Sequence, residues 1–160
     1  MTKTRSIGID YGMARIGIAY SDESKIIASP LAVIKAEKKL KESTKKVVSS
    51  LKEHQKELGY TIDVIIVGMP YMMNGTSGLM ADEVNHFIAE LKSSLPEVDI
   101  IPRDERLTSV QAERSMREAN MNRKKRTKHV DTVSAVIILQ NYLDQKHCEF
   151  NSLPPIPPIA

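Results

Sequence analysis

The chain has 160 residues, 41% hydrophobic and 27% charged, the make-up of an ordinary globular domain large enough to bury one core. Its single cysteine, Cys148, excludes an intrachain disulfide, and no apolar run approaches the ~20 residues of a membrane span. The formal net charge of +3 is uneven: removing the five cations between Arg123 and Lys128 leaves the rest at −2, so the basic character is one local patch.

The first six residues lead straight into a strand pattern with no signal-peptide core, so the expected location is the cytoplasm. Ile7 and Ile9 alternate with Ser6 and Gly8, then Ile16 and Ile18 with Gly17 and Ala19, predicting two strands joined by the short turn after Asp10. Ile26–Ala28 and, past Pro30, Leu31–Ile34 predict a third strand, completing an antiparallel meander. The small residues Gly8, Gly17 and Ala19 leave space for a helix or ligand to approach. Leu40, Val47, Leu51 and Leu58 share one helical face, and Gly59 is placed to end that helix. Asp63–Gly68 is a continuous apolar run, expected of a central strand buried on both faces. A loop over Pro70–Gly78 precedes a second helix marked by Val84, Phe87, Ile88, Leu91 and Leu95. Val98–Ile101 predicts a short strand, Thr108 with Gln111 a capping box for a third helix, and Asp131 the start of a fourth through Leu143.

The expected fold is α/β: a five-stranded mixed sheet, three antiparallel strands followed by two parallel ones, with helices on both faces. Residues 1–146 form one domain in this reading. The segment 147–160, with Leu153-Pro154-Pro155-Ile156-Pro157-Pro158, is an extended Pro-rich tail.

Three carboxylates stand in positions that can converge. Asp10 ends the first strand, Glu105 follows the last strand, and Asp131 opens the final helix. Converging carboxylates suit Mg2+ or Mn2+, hard ions that prefer oxygen ligands, and two such ions can clamp a phosphodiester for hydrolysis. Each residue alone has a plainer role: Asp10 in a turn, Glu105 paired with Arg103 or Arg106, Asp131 as a helix cap. Beside Asp131 lie Arg123, Lys124, Lys125, Arg126 and Lys128, read as a basic loop that brings a polyanion to the carboxylates, or else as a solvated surface. Asp104 neighbours Glu105 but points to the opposite face of an extended segment. His129 is a candidate proton carrier or a surface histidine. Asn74–Gly78 lacks a P-loop lysine and reads as a loop near substrate, with Met69, Met72, Met73 and Met80 as adaptable contacts or packing.

These segments resemble the YqgF (RuvX) family. The resemblance is carried by Ile7-Gly8-Ile9-Asp10-Tyr11-Gly12, Arg15–Ala19, Val67-Gly68-Met69-Pro70 with Asn74-Gly75-Thr76, Asp104–Ser109 and Asp131–Leu143, in order over most of the chain. It implies a ribonuclease-H-like fold and a nuclease with its acidic positions at Asp10, Glu105 and Asp131. The implied substrate is precursor 16S ribosomal RNA, matured at its 5′ end, or alternatively a Holliday junction in branched DNA. A non-catalytic nucleic-acid-binding factor is a further alternative. Met13, Ala14, Ser109 and Ser134 depart from the family pattern but spare every carboxylate. An ATP-binding actin-like protein, whose first strand also ends in an Asp-containing phosphate turn, would need a second domain for which 160 residues leave no room. RNA or DNA substrate, endo- or exonuclease action, and monomer or homodimer all stay open at this point.

Overall fold

The computed structural model describes residues 3–12, 14–69, 79–104 and 123–151. Five strands, β1 (Thr4–Tyr11), β2 (Arg15–Ser21), β3 (Ala28–Lys35), β4 (Thr61–Met69) and β5 (Asp99–Asp104), make one sheet in the order β3-β2-β1-β4-β5. The β1–β2 and β2–β3 pairs are antiparallel, and β1–β4 and β4–β5 parallel, as the chain order of strands and helices requires. Helices α1 (Leu40–Leu58) and α2 (Leu79–Ser94) cover one face and α3 (Arg123–Asn151) the other. The expected five-stranded mixed sheet with helices on both faces is therefore what forms.

Strand alternation divides the core. Ile7, Ile9 and Tyr11 of β1, with Ile65, Val67 and Met69 of β4, pack with Val47, Leu51, Phe87 and Leu91 of α1 and α2. Val64 and Ile66, with Ala19 of β2, pack with Ala135, Ile138, Leu139 and Leu143 of α3. Each fully buried aliphatic side chain contributes roughly 1.5–3 kcal/mol, and among the described side chains of α3 the anchoring ones run from Ala135 to Leu143. Met69, a candidate ligand contact from its sequence, belongs to the core.

Several boundaries differ from the sequence expectation. β3 begins at Ala28, because Ile26 and Ile27 donate their backbone N–H groups to Asp22 Oδ1 (2.8 and 3.0 Å) and so complete a turn. These bonds, the one from Ile27 first, hold the Asp22 carboxyl below its ordinary range. The two isoleucines are left 46% and 60% exposed. Pro30 lies within β3, tolerated because this is an edge strand and its partner β2 is irregular at Ile18/Ala19. On α1, Leu58 is 46% exposed while Ser43 and Thr44 are buried. The latter are satisfied by backbone bonds, Thr44 to Leu40 O (2.9 Å) and Ser43 Oγ accepting from Glu37 N–H (2.7 Å). Gly59 closes α1 as expected, left-handed at φ 67° and donating to Gln55 O.

The largest correction concerns α3. The helix begins at Arg123, eight residues before Asp131, so the basic segment forms its first turns rather than a loop, and Asp131 lies inside the helix rather than at its cap. It also runs on to Asn151, into the stretch read as tail. Residues 152–160 and the expected third helix after Thr108 lie outside the described residues.

At the amino-terminal edge of β1, the Arg5 guanidinium lies 5.7 and 5.4 Å from the ring centroids of Tyr20 and Tyr60. His54 Nδ1 lies 2.7 Å from the Tyr60 hydroxyl. Burial raises the Tyr60 pKa to about 12, and burial, reinforced by Arg5, lowers that of His54. Tyr60 therefore keeps its proton at neutral pH, and the imidazole tautomer sets which partner donates in the Tyr60–His54 hydrogen bond. No helix among the described residues is long and apolar enough to cross a membrane.

Candidate active site

Alternation along β1 fixes the side on which Asp10 stands. Because Ile7, Ile9 and Tyr11 enter the α1/α2 core, Ser6, Gly8 and Asp10 belong to the α3 face. Asp10 is half-buried at the strand's end, opposite Gly17 of β2. The chain then turns so tightly that a Cβ on Gly12 would lie 2.5 Å from the Arg15 carbonyl oxygen. In the parallel pairs Ile9 aligns with Val67, Val67 with Pro102, and Gly68 with Arg103. One residue further, Asp10 stands level with Gly68 and Arg103, at the carboxyl edge shared by β1, β4 and β5. In open α/β sheets this edge is where ligands bind.

Gly8 brings α3 to that edge. A Cβ on it would lie 2.7 Å from Leu139 Cβ and 2.9 Å from the Ala135 carbonyl oxygen, so the helix packs directly on the backbone of β1. Leu143 and Lys146 line a cleft with Ser6 and Asp63, near the amino-terminal ends of β1 and β4, whereas Ala135 lies at Gly8. The helix thus runs antiparallel to β1. One turn before Ala135, about 6 Å along the axis, comes the backbone of Asp131. Two residues beyond Gly8, about 7 Å along the strand, comes Asp10. The two backbones reach the same level of the sheet.

The other candidates are less fully placed. Glu105, first residue after β5, lies outside the described residues, as do Asn74–Gly78, Met72 and Met73. For Asp131, His129, Asp104, Met80 and the cations Arg123, Lys124, Lys125, Arg126 and Lys128, the description covers the backbone alone. Among the described residues no group of three or more His, Cys, Asp or Glu side chains is clustered to hold a metal. Of the three expected carboxylate residues, the structure places Asp10 and the backbone of Asp131 at one level; carboxylates are the oxygen donors that Mg2+ and Mn2+ prefer.

Tyr11 and Glu83, to which the sequence assigned no role at the site, secure this edge. Tyr11 stacks on Phe87 of α2, centroids 4.7 Å apart, and its hydroxyl donates to Glu83 Oε2 at 3.4 Å. Burial, with Glu83 beside it, raises the Tyr11 pKa, so the hydroxyl remains a donor. The end of β1 is thereby tied to α2 right beside Asp10. The signal was present in the sequence: Tyr11 continues the period-two series of Ile7 and Ile9.

Comparison with known proteins follows the same lines. The family described as "RuvX: Holliday junction resolvase" matches residues 4–145. A protein of Protochlamydia amoebophila, "Putative pre-16S rRNA nuclease", is 50% identical over 143 residues, covering 89% of this chain and 95% of its own. One of the same name from Ruminiclostridium cellulolyticum is 44% identical over 141 residues, covering 88% and 94%. Among solved structures, Thermus thermophilus RuvC in complex with a Holliday junction substrate superposes with a TM-score of 0.55 at 14% identity, covering 90% of this chain and 96% of its own. At that identity the likeness establishes the fold, which is ribonuclease-H-like.

Proposed function

We propose a function from one premise: the chain belongs to the RuvX family. It is a metal-dependent nuclease that hydrolyses phosphodiester bonds, and its substrate is precursor 16S ribosomal RNA, matured at the 5′ end. The observation that carries this is the 50% identity, over nearly the whole chain, to a protein named for that substrate. The local architecture supports it, with Asp10 and the Asp131 backbone at one level of the sheet edge and a basic helical start beside them.

Asp10, Glu105 and Asp131 are the residues that would hold the metal. When bound, Mg2+ or Mn2+ would neutralise charge on the scissile phosphate and activate the attacking water. The chain's own contribution is positional. Asp10 is fixed by the β1–β2 ladder on one side and, through Tyr11, by α2 behind it. The half-buried setting of Asp10 strengthens its attraction for a cation relative to open solvent. Arg123, Lys124, Lys125, Arg126 and Lys128 hold the nucleic-acid backbone without reading its sequence, and the positive end of the α3 dipole adds to them.

A second reading, a Holliday junction resolvase, is favoured by the family's description, and symmetric cutting would call for a homodimer. The purified protein is to be given precursor 16S rRNA, single-stranded RNA, duplex DNA and a four-way junction side by side, with Mg2+ or Mn2+ and with chelator. Metal-dependent cleavage preferring the rRNA precursor is the expected result. Preference for the junction would select the second reading, and no cleavage of any substrate would leave only a binding factor.

A further inference from the structure

Basic character is not confined to the start of α3. Outside Arg123–Lys128 the chain sums to −2, and within that remainder lies a second concentration of positive charge. Residues 35–46, the end of β3 and the first turns of α1, hold six lysines against two glutamates, a net +4, and all eight side chains are exposed. Lys46 is ion-paired with Glu37, and Lys35 acts on the same carboxylate. Lys38, Lys39, Lys41 and Lys45 have no ion pair among the described residues, and Glu42 alone offsets them within the segment.

This arrangement costs stability. Lys39 stands at the N-cap of α1 without a side-chain bond, where serine, aspartate or asparagine would satisfy a backbone N–H. Lys38, Lys39 and Lys41 are set at the positive end of the helix dipole, and Lys41 and Lys45, four residues apart, repel. A polyanion would offset each of these penalties, and local rules broken in this way are characteristic of functional surfaces. The lysines also ride on a fixed turn. Ala36 N–H donates to Ala14 O (2.9 Å) and Glu37 N–H to Ser43 Oγ (2.7 Å).

The turn stands at the active edge. β1 and β3 run the same way, each antiparallel to β2 between them. Asp10 pairs with Gly17 and Gly17 with Val33, so Lys35 leaves the sheet two residues beyond the level of Asp10. Two strand spacings and two residues put those backbones about 12 Å apart, some three or four nucleotides at roughly 3.4 Å each. The bond to Ala14 ties the lysine segment to the turn that follows Asp10. The backbone of Arg123–Lys128, which precedes Asp131 on a helix antiparallel to β1, reaches beyond the same edge. Two cationic segments therefore meet at the edge that carries Asp10.

The chemistry of the segment selects its partner. Residues 35–46 hold no aromatic ring on which a base could stack and no exposed aliphatic side chain to enter a lipid layer. Lysines are point charges that contact phosphates without reading sequence. We propose that Lys38, Lys39, Lys41 and Lys45 hold the phosphate backbone of a nucleic acid, beginning about three or four nucleotides from the scissile bond and independently of its sequence. The distance from the scissile bond rests on the nuclease reading; backbone binding by the lysines does not.

The test uses the intact protein in chelator, with two RNA hairpins of unrelated sequence, each carrying a single-stranded leader. The double variant Lys38→Gln, Lys41→Gln is compared with Lys56→Gln, Lys92→Gln, the same loss of charge at exposed sites in the last turns of α1 and α2, at the opposite end of the sheet. The first variant should weaken binding of both hairpins about tenfold and make the slope of log affinity against log salt shallower by about 1 per lost contact. The second should weaken it less than twofold. The Tm of the first should equal or exceed that of the wild type, because repulsion at the start of α1 is relieved. Equal losses in the two variants would reduce the effect to net charge and overturn the proposal. Undiminished affinity would leave the lysines to another partner, such as an acidic protein surface, and loss for one hairpin alone would make the contact sequence-specific; either overturns it. A lower Tm would trace the loss to folding and overturn it as well. A protein that cleaves nothing yet meets these expectations would sink the nuclease reading and keep the lysine surface. Metal-dependent cleavage with undiminished affinity in the first variant would do the reverse.

Discussion

Replacing Gly8 with alanine probes the contact that brings α3 to the active edge. The added methyl would stand 2.7 Å from Leu139 Cβ and 2.9 Å from the Ala135 carbonyl oxygen. Ordinary carbon contacts lie near 3.5–4.0 Å, so the helix must withdraw by roughly 0.8 Å or more. No rotamer change relieves this, because the obstructing atoms are a backbone oxygen and a Cβ. Overpacking of this kind costs about 1–3 kcal/mol. In a chain of this size that lowers Tm by roughly 2–12 °C. Activity should suffer more than stability, since α3 carries Asp131 and the basic turns, and a shift near 1 Å at a reacting group can cost about 100-fold in rate. The assay pairs thermal denaturation with the rate of precursor rRNA cleavage at 25 °C, where the variant is still folded. Wild-type Tm and wild-type rate together would refute the close packing of α3 on β1.

Three further outcomes follow from other parts of the fold. Gly59→Ala meets open space but must keep φ near 67°, so it should lower Tm by roughly 2–8 °C while the cleavage rate at 25 °C stays unchanged. Alanine at Lys124, Lys125 and Arg126 preserves helicity and should weaken binding to all sequences alike, making the slope of log affinity against log salt shallower by about 0.9 per lost phosphate contact; an unaltered slope would leave these turns a solvated surface. Because the folded pKa of His54 lies below its unfolded value near 6.5, the unfolded chain binds more protons between the two. Stability should therefore fall as pH drops from about 6.5 through the folded value, and less so in His54→Gln; equal pH dependence in denaturant titrations would absolve His54.

The meander, the central strand and the place of Asp10 were legible because burial on one or both faces leaves a period-two or continuous apolar signature. The start of α3 was not. Arg123–Lys128 offers no apolar periodicity, since the segment holds no apolar side chain, yet arginine and lysine are good helix formers. Ser43 and Thr44 were missed for a related reason. Small polar residues satisfied by nearby backbone groups can be buried without leaving a hydrophobic pattern. The exposed Leu58 sat on the right face of α1 but in its last turn, beyond the residues that cover the sheet. The Arg5–Tyr20–Tyr60–His54 group joins three strands or helix ends far apart in the chain, and nothing local announces it. Of the candidate carboxylates, Asp10 could be read from the strand it ends, and the level of Asp131 followed only from the close approach at Gly8.

The most direct measurement is cleavage of precursor 16S rRNA by Asp10→Asn in Mg2+, with folding and RNA binding followed in the same preparation. Asparagine keeps the shape and removes one charge and one metal-binding oxygen. The expected result is a folded protein that binds RNA at least as tightly as the wild type and does not cut it, while Asp104→Asn keeps most activity. Asp131→Asn should match Asp10→Asn, and the double variant should be no worse than either, because groups that act as one unit are not additive. A folded Asp10→Asn protein that cleaves at the wild-type rate would remove Asp10 from the chemistry, and the three-carboxylate site with it.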